Sequence, residues 1–171
     1  MDKRLLSERD ICTKFITPAI EQAEWDSKSQ IREEVTFTNG RIIVRGKLYK
    51  RGKSKRADYI LYYKPNIPIA IIEAKDANHS IASGMQQALE YGDMLNIPFI
   101  FSSNGTGFLF HDKTVTNKEG KVESELSMEE FPSPEELWEK YCQWKGIDTE
   151  DKRKVVEQDY YAGIGEKSPH Y

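Results

Sequence analysis

The sequence predicts an α/β protein with a mixed central β-sheet flanked by helices, and three observations carry that prediction. Residues 57–63 are rich in β-branched and aromatic side chains, and residues 67–75 form a nearly continuous apolar run ending in charge; both compositions suit strands. A helical pattern over 80–95 separates the second run from a further strand at 98–102, making a strand-helix-strand unit with an expected right-handed crossover. An amphipathic stretch over 7–24 adds a helix at the N-terminus.

Each element has a local reason. Ser7-Glu8-Arg9-Asp10 has capping-box character, and Ile11, Phe15, Ile16 and Ala19 supply the apolar face of the helix that follows. Thr17-Pro18 either kinks that helix or starts a second one with proline at its first position. Asn39-Gly40 signals a hairpin leading into a strand over 41–49. Between the two apolar runs, Pro65 presets the first turn position and Asn66 tolerates the second, so the runs form an antiparallel hairpin. With that turn, Lys64 faces Ile67, Tyr62 faces Ile69, Ile60 faces Ile71 and Asp58 faces Glu73. In the helix over 80–95, Ile81, Met85, Ala88 and Leu95 form the apolar stripe, with Gln87 and Tyr91 at i and i+4 on one flank. Asn104-Gly105 turns the 98–102 strand into 107–111, and the polar residues 113–127 read as a loop. Ser133-Pro134-Glu135-Glu136 starts a last helix, whose Leu137, Trp138, Tyr141 and Trp144 suit core packing better than a ligand box. Residues 1–145 therefore form one domain, and the charged, weakly periodic residues 146–171 read as a linker.

Composition bounds the function. The 171 residues carry 25 basic and 28 acidic side chains, a formal charge of −3, which suits a nucleic-acid protein only if the charge is segregated. It is: between Glu34 and Asp58 no acid occurs, whereas Arg41, Arg45, Lys47, Lys50, Arg51, Lys53, Lys55 and Arg56 do. They form either a phosphate-tracking edge or a solvated hairpin with a basic tip. Residues 112–159 are net acidic and are not expected to face DNA. Cys12 and Cys142 lie far apart with no C-x-x-C spacing, and His79, His111 and His170 are scattered, so neither a disulfide framework nor a zinc site is supported. No signal peptide, membrane-length apolar run or P-loop pattern is present, which makes the cytoplasm the default and excludes an ATPase within this chain.

The chemistry concentrates at one place. Opposed residues on antiparallel strands have Cβ atoms about 4.5 to 5.5 Å apart, and like charges there destabilise the sheet. A divalent cation offsets the repulsion between Asp58 and Glu73, because hard ions such as Mg²⁺ take carboxylate and carbonyl oxygens plus waters. Lys75, two residues past Glu73, falls on the same face because strand side chains alternate.

Asp58 with Glu73-Ala74-Lys75 resembles the D and E-x-K of the PD-(D/E)xK nuclease superfamily, with Ala57 where the family's usual proline precedes the aspartate. The blocks 56–61, 68–75, 86–91 and 98–105, in that order, resemble the N-terminal nuclease region of type I restriction enzyme R (motor) subunits over roughly residues 5 to 112. Gln87 and Tyr91 reproduce that family's Q-x-x-x-Y element. They either contact nucleic acid and support the site, or are a half-buried tyrosine beside a solvated glutamine. Glu8 aligns with an acidic position of the family's first helix, where it either supplements a metal site or complements the helix dipole. The resemblance implies a restriction-endonuclease-like core that hydrolyses phosphodiester bonds of duplex DNA. Mg²⁺, replaceable by Mn²⁺, would be held by Asp58, Glu73 and the Ala74 carbonyl, with Lys75 acting on the attacking water and Arg51, Lys53, Lys55 and Arg56 on the DNA. It also implies methylase and specificity subunits as partners, and a following motor region through which alone ATP enters. A catalytically silent docking module of the same fold and a stand-alone repair or resolvase nuclease are the competing readings.

Overall fold

Strands form where the apolar and β-branched runs lie, and helices cover both sides of the sheet they make. The computed structural model describes residues 2–39, 41–42, 54–115 and 122–147. In chain order the strands are β1 (Ile31–Thr38), β2 (Arg41–Ile42), β3 (Lys55–Lys64), β4 (Ile67–Ala74), β5 (Phe99–Ser103), β6 (Phe108–Asp112) and β7 (Glu123–Leu126). They assemble in the order β2-β1-β3-β4-β5-β6-β7. The β4/β5 pair is parallel and the others are antiparallel, so the sheet is mixed.

The N-terminal segment folds as α1 (Glu8–Ile11), a π turn over Cys12–Ile16 and α2 (Thr17–Gln22) in one continuous path. Proline removes a hydrogen bond and crowds the carbonyl four residues back, and a widened π turn before Pro18 accommodates both effects. The expected choice between a kink and a second helix is thus resolved by a local expansion. Ser7 caps α1 by accepting from the Asp10 N–H, and Ile11, Ile16 and Ile20 are buried against the sheet.

Two cores sandwich the sheet. On one face Ile11, Ile16, Ile20 and Trp25 pack with Tyr59, Leu61, Ile72, Phe99 and Phe101, together with Leu137 and Trp138 of α4 (Pro134–Lys145). On the other, Met85 and Ala88 of α3 (Met85–Leu95) pack on Ile60, Ile71 and Ile100. The helix lies close to the sheet because Gly92 has no side chain: a Cβ there would stand 2.3 Å from Ile100 Cδ1. Phe101 is fully buried, stacked on Phe110 with ring centroids 4.4 Å apart and 4.6 Å from the Phe131 ring. Truncating such a side chain leaves a cavity that rigid strands cannot close, so Phe101→Ala is expected to cost about 3 to 5 kcal/mol of stability, measured by urea unfolding. Helix α4 starts with the anticipated capping box: Ser133 Oγ accepts from the Glu136 N–H, and the Glu136 side chain accepts from the Ser133 N–H.

Three expectations need correction. The β3/β4 register matches at Ile60 with Ile71 and Lys64 with Ile67, but Tyr62 pairs with Pro68 rather than Ile69. One irregularity on each strand causes the shift, and the two cancel before the turn. The helix expected over 80–95 begins at Met85, after turns that include Ile81. Within the expected loop 113–127, Glu123–Leu126 forms edge strand β7 on β6; its alternating charged side chains suit an edge and hide its strand character. The expected 41–49 strand is described only for Arg41–Ile42, and the linker-like segment beyond Ile147 lies outside the described residues.

Candidate active site

The hairpin brings the two acids together. Tyr59 pairs with Ile72 and Ile60 with Ile71, and the same register carried one step further opposes Asp58 and Glu73. Each carboxylate is hydrogen-bonded to the other strand's backbone. Glu73 Oε2 accepts from the Asp58 N–H at 2.9 Å, and Asp58 Oδ2 accepts from the Ala74 N–H at 2.7 Å. The second Glu73 oxygen, Oε1, accepts from Gln87 Nε2 at 3.0 Å. Glu73 is 3% exposed and Asp58 half-buried.

Burial and then the facing Asp58 carboxylate raise the Glu73 pKa well above the usual glutamate value, and the hydrogen bonds from the Asp58 amide and Gln87 offset only part of that. The site therefore holds a pair of acids short of positive charge. Lys75, one residue beyond β4, is half-buried, and its N–H donates to the Ser103 carbonyl at 2.9 Å, extending the parallel ladder.

Glu8, at the start of α1, belongs to the same electrostatic group. Its pKa is raised by burial first and by Asp58 next, while the Lys75 ammonium pulls it back. Tyr91 packs edge-on against Phe37, with centroids 5.0 Å apart, and its hydroxyl pKa is raised by burial first and by Glu73 second. Gln87 thus touches Glu73 directly, whereas Tyr91 fills the space between α3 and β1. Lys55 and Arg56 stand at the start of β3, opposite Phe37 and Thr36. Arg51 and Lys53 lie outside the described residues.

Sequence reading missed two supports. Ser102 lies beside Glu73 in the parallel register, and its Oγ accepts from the Gly84 N–H at 3.1 Å. A Cβ at Gly84 would stand 3.1 Å from Ser102 Oγ and 3.3 Å from Glu73 Cβ. Only glycine lets α3 begin this close to the acid. The signal available was Gly84 three residues before Gln87, hence on one helix face.

A mixed open sheet with helices on both faces and this connectivity is a restriction-endonuclease-like α/β fold. Residues 43–119 match the family described as Type I restriction enzyme R protein N terminus. It is 49% identical over 166 residues to the type I restriction enzyme EcoAI endonuclease subunit of Escherichia coli, a match covering 97% of this chain and 20% of that protein. It is also similar to a solved fragment described as an HsdR subunit of a type I restriction enzyme from Vibrio vulnificus YJ016. That match has a TM-score of 0.67 and 39% identity, covering 82% of this chain and 26% of that one. Among the described residues no helix is long and apolar enough to cross a membrane.

Proposed function

We propose that this chain is the DNA-cutting module of a type I restriction R subunit: a Mg²⁺-dependent endonuclease that hydrolyses duplex DNA without reading local sequence. In the longer protein, ATP-dependent translocation by a motor region would feed it DNA, methylase and specificity subunits would choose the target, and the cytoplasm would be its place of work. The observation that carries the reading is the cross-bonded pair of opposed carboxylates, Asp58 and Glu73, with Lys75 two residues on.

The donor chemistry fits a hard cation. Among the described residues no three His, Cys, Asp or Glu side chains cluster, so the protein offers two carboxylates and no set of four nitrogen or sulfur ligands such as a structural zinc site takes. Two carboxylates and a backbone carbonyl with water completing the shell suit Mg²⁺, which keeps several waters and is commonly held by one or two carboxylates and a substrate phosphate. Asp58, Glu73 and the Ala74 carbonyl would hold it. When bound, Mg²⁺ lowers the pKa of a water and neutralises charge on the phosphate.

The chain's own groups do the rest. Gln87 fixes the Glu73 carboxylate, and the reciprocal amide bonds fix both acids to the hairpin. Lys75 orients the attacking water and stabilises charge developing on the phosphate. Arg51, Lys53, Lys55 and Arg56 meet the DNA backbone, whose contacts position without specifying sequence.

Isothermal titration of Mn²⁺ into the wild-type chain and into Asp58→Ala tests this. Heat of binding present in the first and lost in the second is expected; equal binding in both would place the ion elsewhere, and none in either would favour the silent docking module. Lys75→Ala is expected to keep Mn²⁺ affinity while lowering DNA cleavage by the full enzyme about 10² to 10³-fold, as loss of one charge-stabilising donor does. Plasmid linearisation rates check it.

A further inference from the structure

Asp58 sits where two neighbouring strands both break pattern. In β1 and β3, Glu33 pairs with Tyr59 and Val35 with Ala57, so Glu34 falls opposite Asp58, and this is the one step between them at which no pair forms. Glu34 has φ +54°, a left-handed conformation uncommon outside glycine. The faces switch across the same step. Tyr59 and Leu61 pack in the core under the N-terminal helices, whereas Ala57 and Phe37 pack in the core under α3; strict alternation would keep residues 57, 59 and 61 on one face.

The N-terminal helix grips both sides of this step. Arg9, beside Glu8 on α1, donates from Nη1 to Glu34 Oε2 and from Nη2 to Glu33 Oε1, each at 2.5 Å. Tyr59 Oη donates to the Cys12 carbonyl at 3.2 Å and lies 2.7 Å from Thr17 Oγ1. The π turn over Cys12–Ile16 is thus tied to the residue after Asp58, and α1 to the residue opposite it. The register resumes unchanged at Val35 and Ala57, so neither strand gains a residue; the break is a local turn of the backbone that takes Asp58 out of the β1 ladder.

We propose that Arg9 and the left-handed Glu34 are positioning residues that set the aim of Asp58 at the Ala74 amide and at the ion site. The metal part of this inference rests on the function proposed above; the geometric part does not. The test reads the Ala74 N–H by hydrogen exchange in the metal-free chain, with the Ile72 N–H of the same strand as internal reference. Asp58→Ala defines full loss of the Asp58 acceptor.

Arg9→Gln and Glu34→Val, the latter placing a β-branched residue at positive φ, are expected to speed Ala74 exchange toward the Asp58→Ala level while leaving Ile72 unchanged. Glu34→Gly accepts the left-handed turn without the clamp and is expected to retain protection, and in its background Arg9→Gln is expected to lose its effect. Mn²⁺ affinity is expected to follow, about 10 to 100-fold weaker in Arg9→Gln and in Glu34→Val, as for partners that orient a metal ligand. Ala74 exchange at the wild-type rate in Arg9→Gln, or a rise shared equally by Ile72, overturns the proposal. If Ala74 responds as expected but wild-type chain binds no Mn²⁺, the positioning stands and the metal reading fails.

Discussion

Replacing Asp58 or Glu73 with alanine is expected to remove DNA cleavage by the full enzyme, by at least about 10³-fold, with Mn²⁺ binding to the chain lost in parallel. The magnitude follows from the role proposed for the pair: a held cation contributes several kcal/mol of transition-state charge stabilisation, and each 1.36 kcal/mol is tenfold in rate. The folds of the two variants are expected to diverge. Asp58→Ala gives up one acceptor for the Ala74 N–H, worth about 0.5 to 1.5 kcal/mol net, but relieves the like-charge contact that raises the Glu73 pKa. Glu73→Ala removes a buried side chain and leaves the Asp58 N–H and Gln87 Nε2 without their acceptor, so it is expected to be the less stable of the two. Plasmid cleavage with Mg²⁺, calorimetric Mn²⁺ titration and a thermal melt separate these effects. Cleavage within tenfold of wild type in either variant would sink the assignment.

Much of this arrangement is legible in the chain because it depends on period and turn chemistry. The apolar runs, the Pro65-Asn66 turn and the strand-helix-strand passage give the β3/β4 hairpin, the parallel β4/β5 pair and hence the opposition of Asp58 and Glu73. That opposition survives the Tyr62 shift only because the two irregularities cancel. What the chain conceals is set by tertiary contact. Helix α3 starts at Met85 because Gly84 seats against Glu73 and Ser102, a constraint absent from helix propensity. Strand β7 is a charged edge. Glu34 adopts a left-handed conformation with no asparagine or glycine to announce it; Arg9, 25 residues away, bonds its carboxylate. The contact of Gln87 with Glu73 was within reach of sequence reasoning as site support, but its partner atom was not.

Glu73→Gln is expected to change how stability depends on pH, and this isolates the acid pair from catalysis altogether. The folded state holds the Glu73 proton more tightly than the unfolded chain, whose ordinary value is 4.5. Stability from the neutral buried acid is therefore fully present below that value and is lost as pH rises toward the raised folded value. A glutamine keeps the neutral shape: its oxygen can accept from the Asp58 N–H, and Gln87 can turn its own amide to present an oxygen to the new N–H. In EDTA the wild-type chain is expected to lose stability relative to Glu73→Gln from pH 5 to 8, by up to about 1.4 kcal/mol per pH unit, measured by urea unfolding. Asp58, Glu8 and Lys75 face this group in both proteins, and because Asp58 is coupled to Glu73 the difference reports the titration of the pair. Mn²⁺ should reverse the trend in the wild type alone, because a cation binds the ionised pair and displaces the proton; calorimetry in two buffers of different ionisation enthalpy counts that proton. A difference flat with pH would mean that Glu73 is ionised without any cation, and that the opposed acids do not need one.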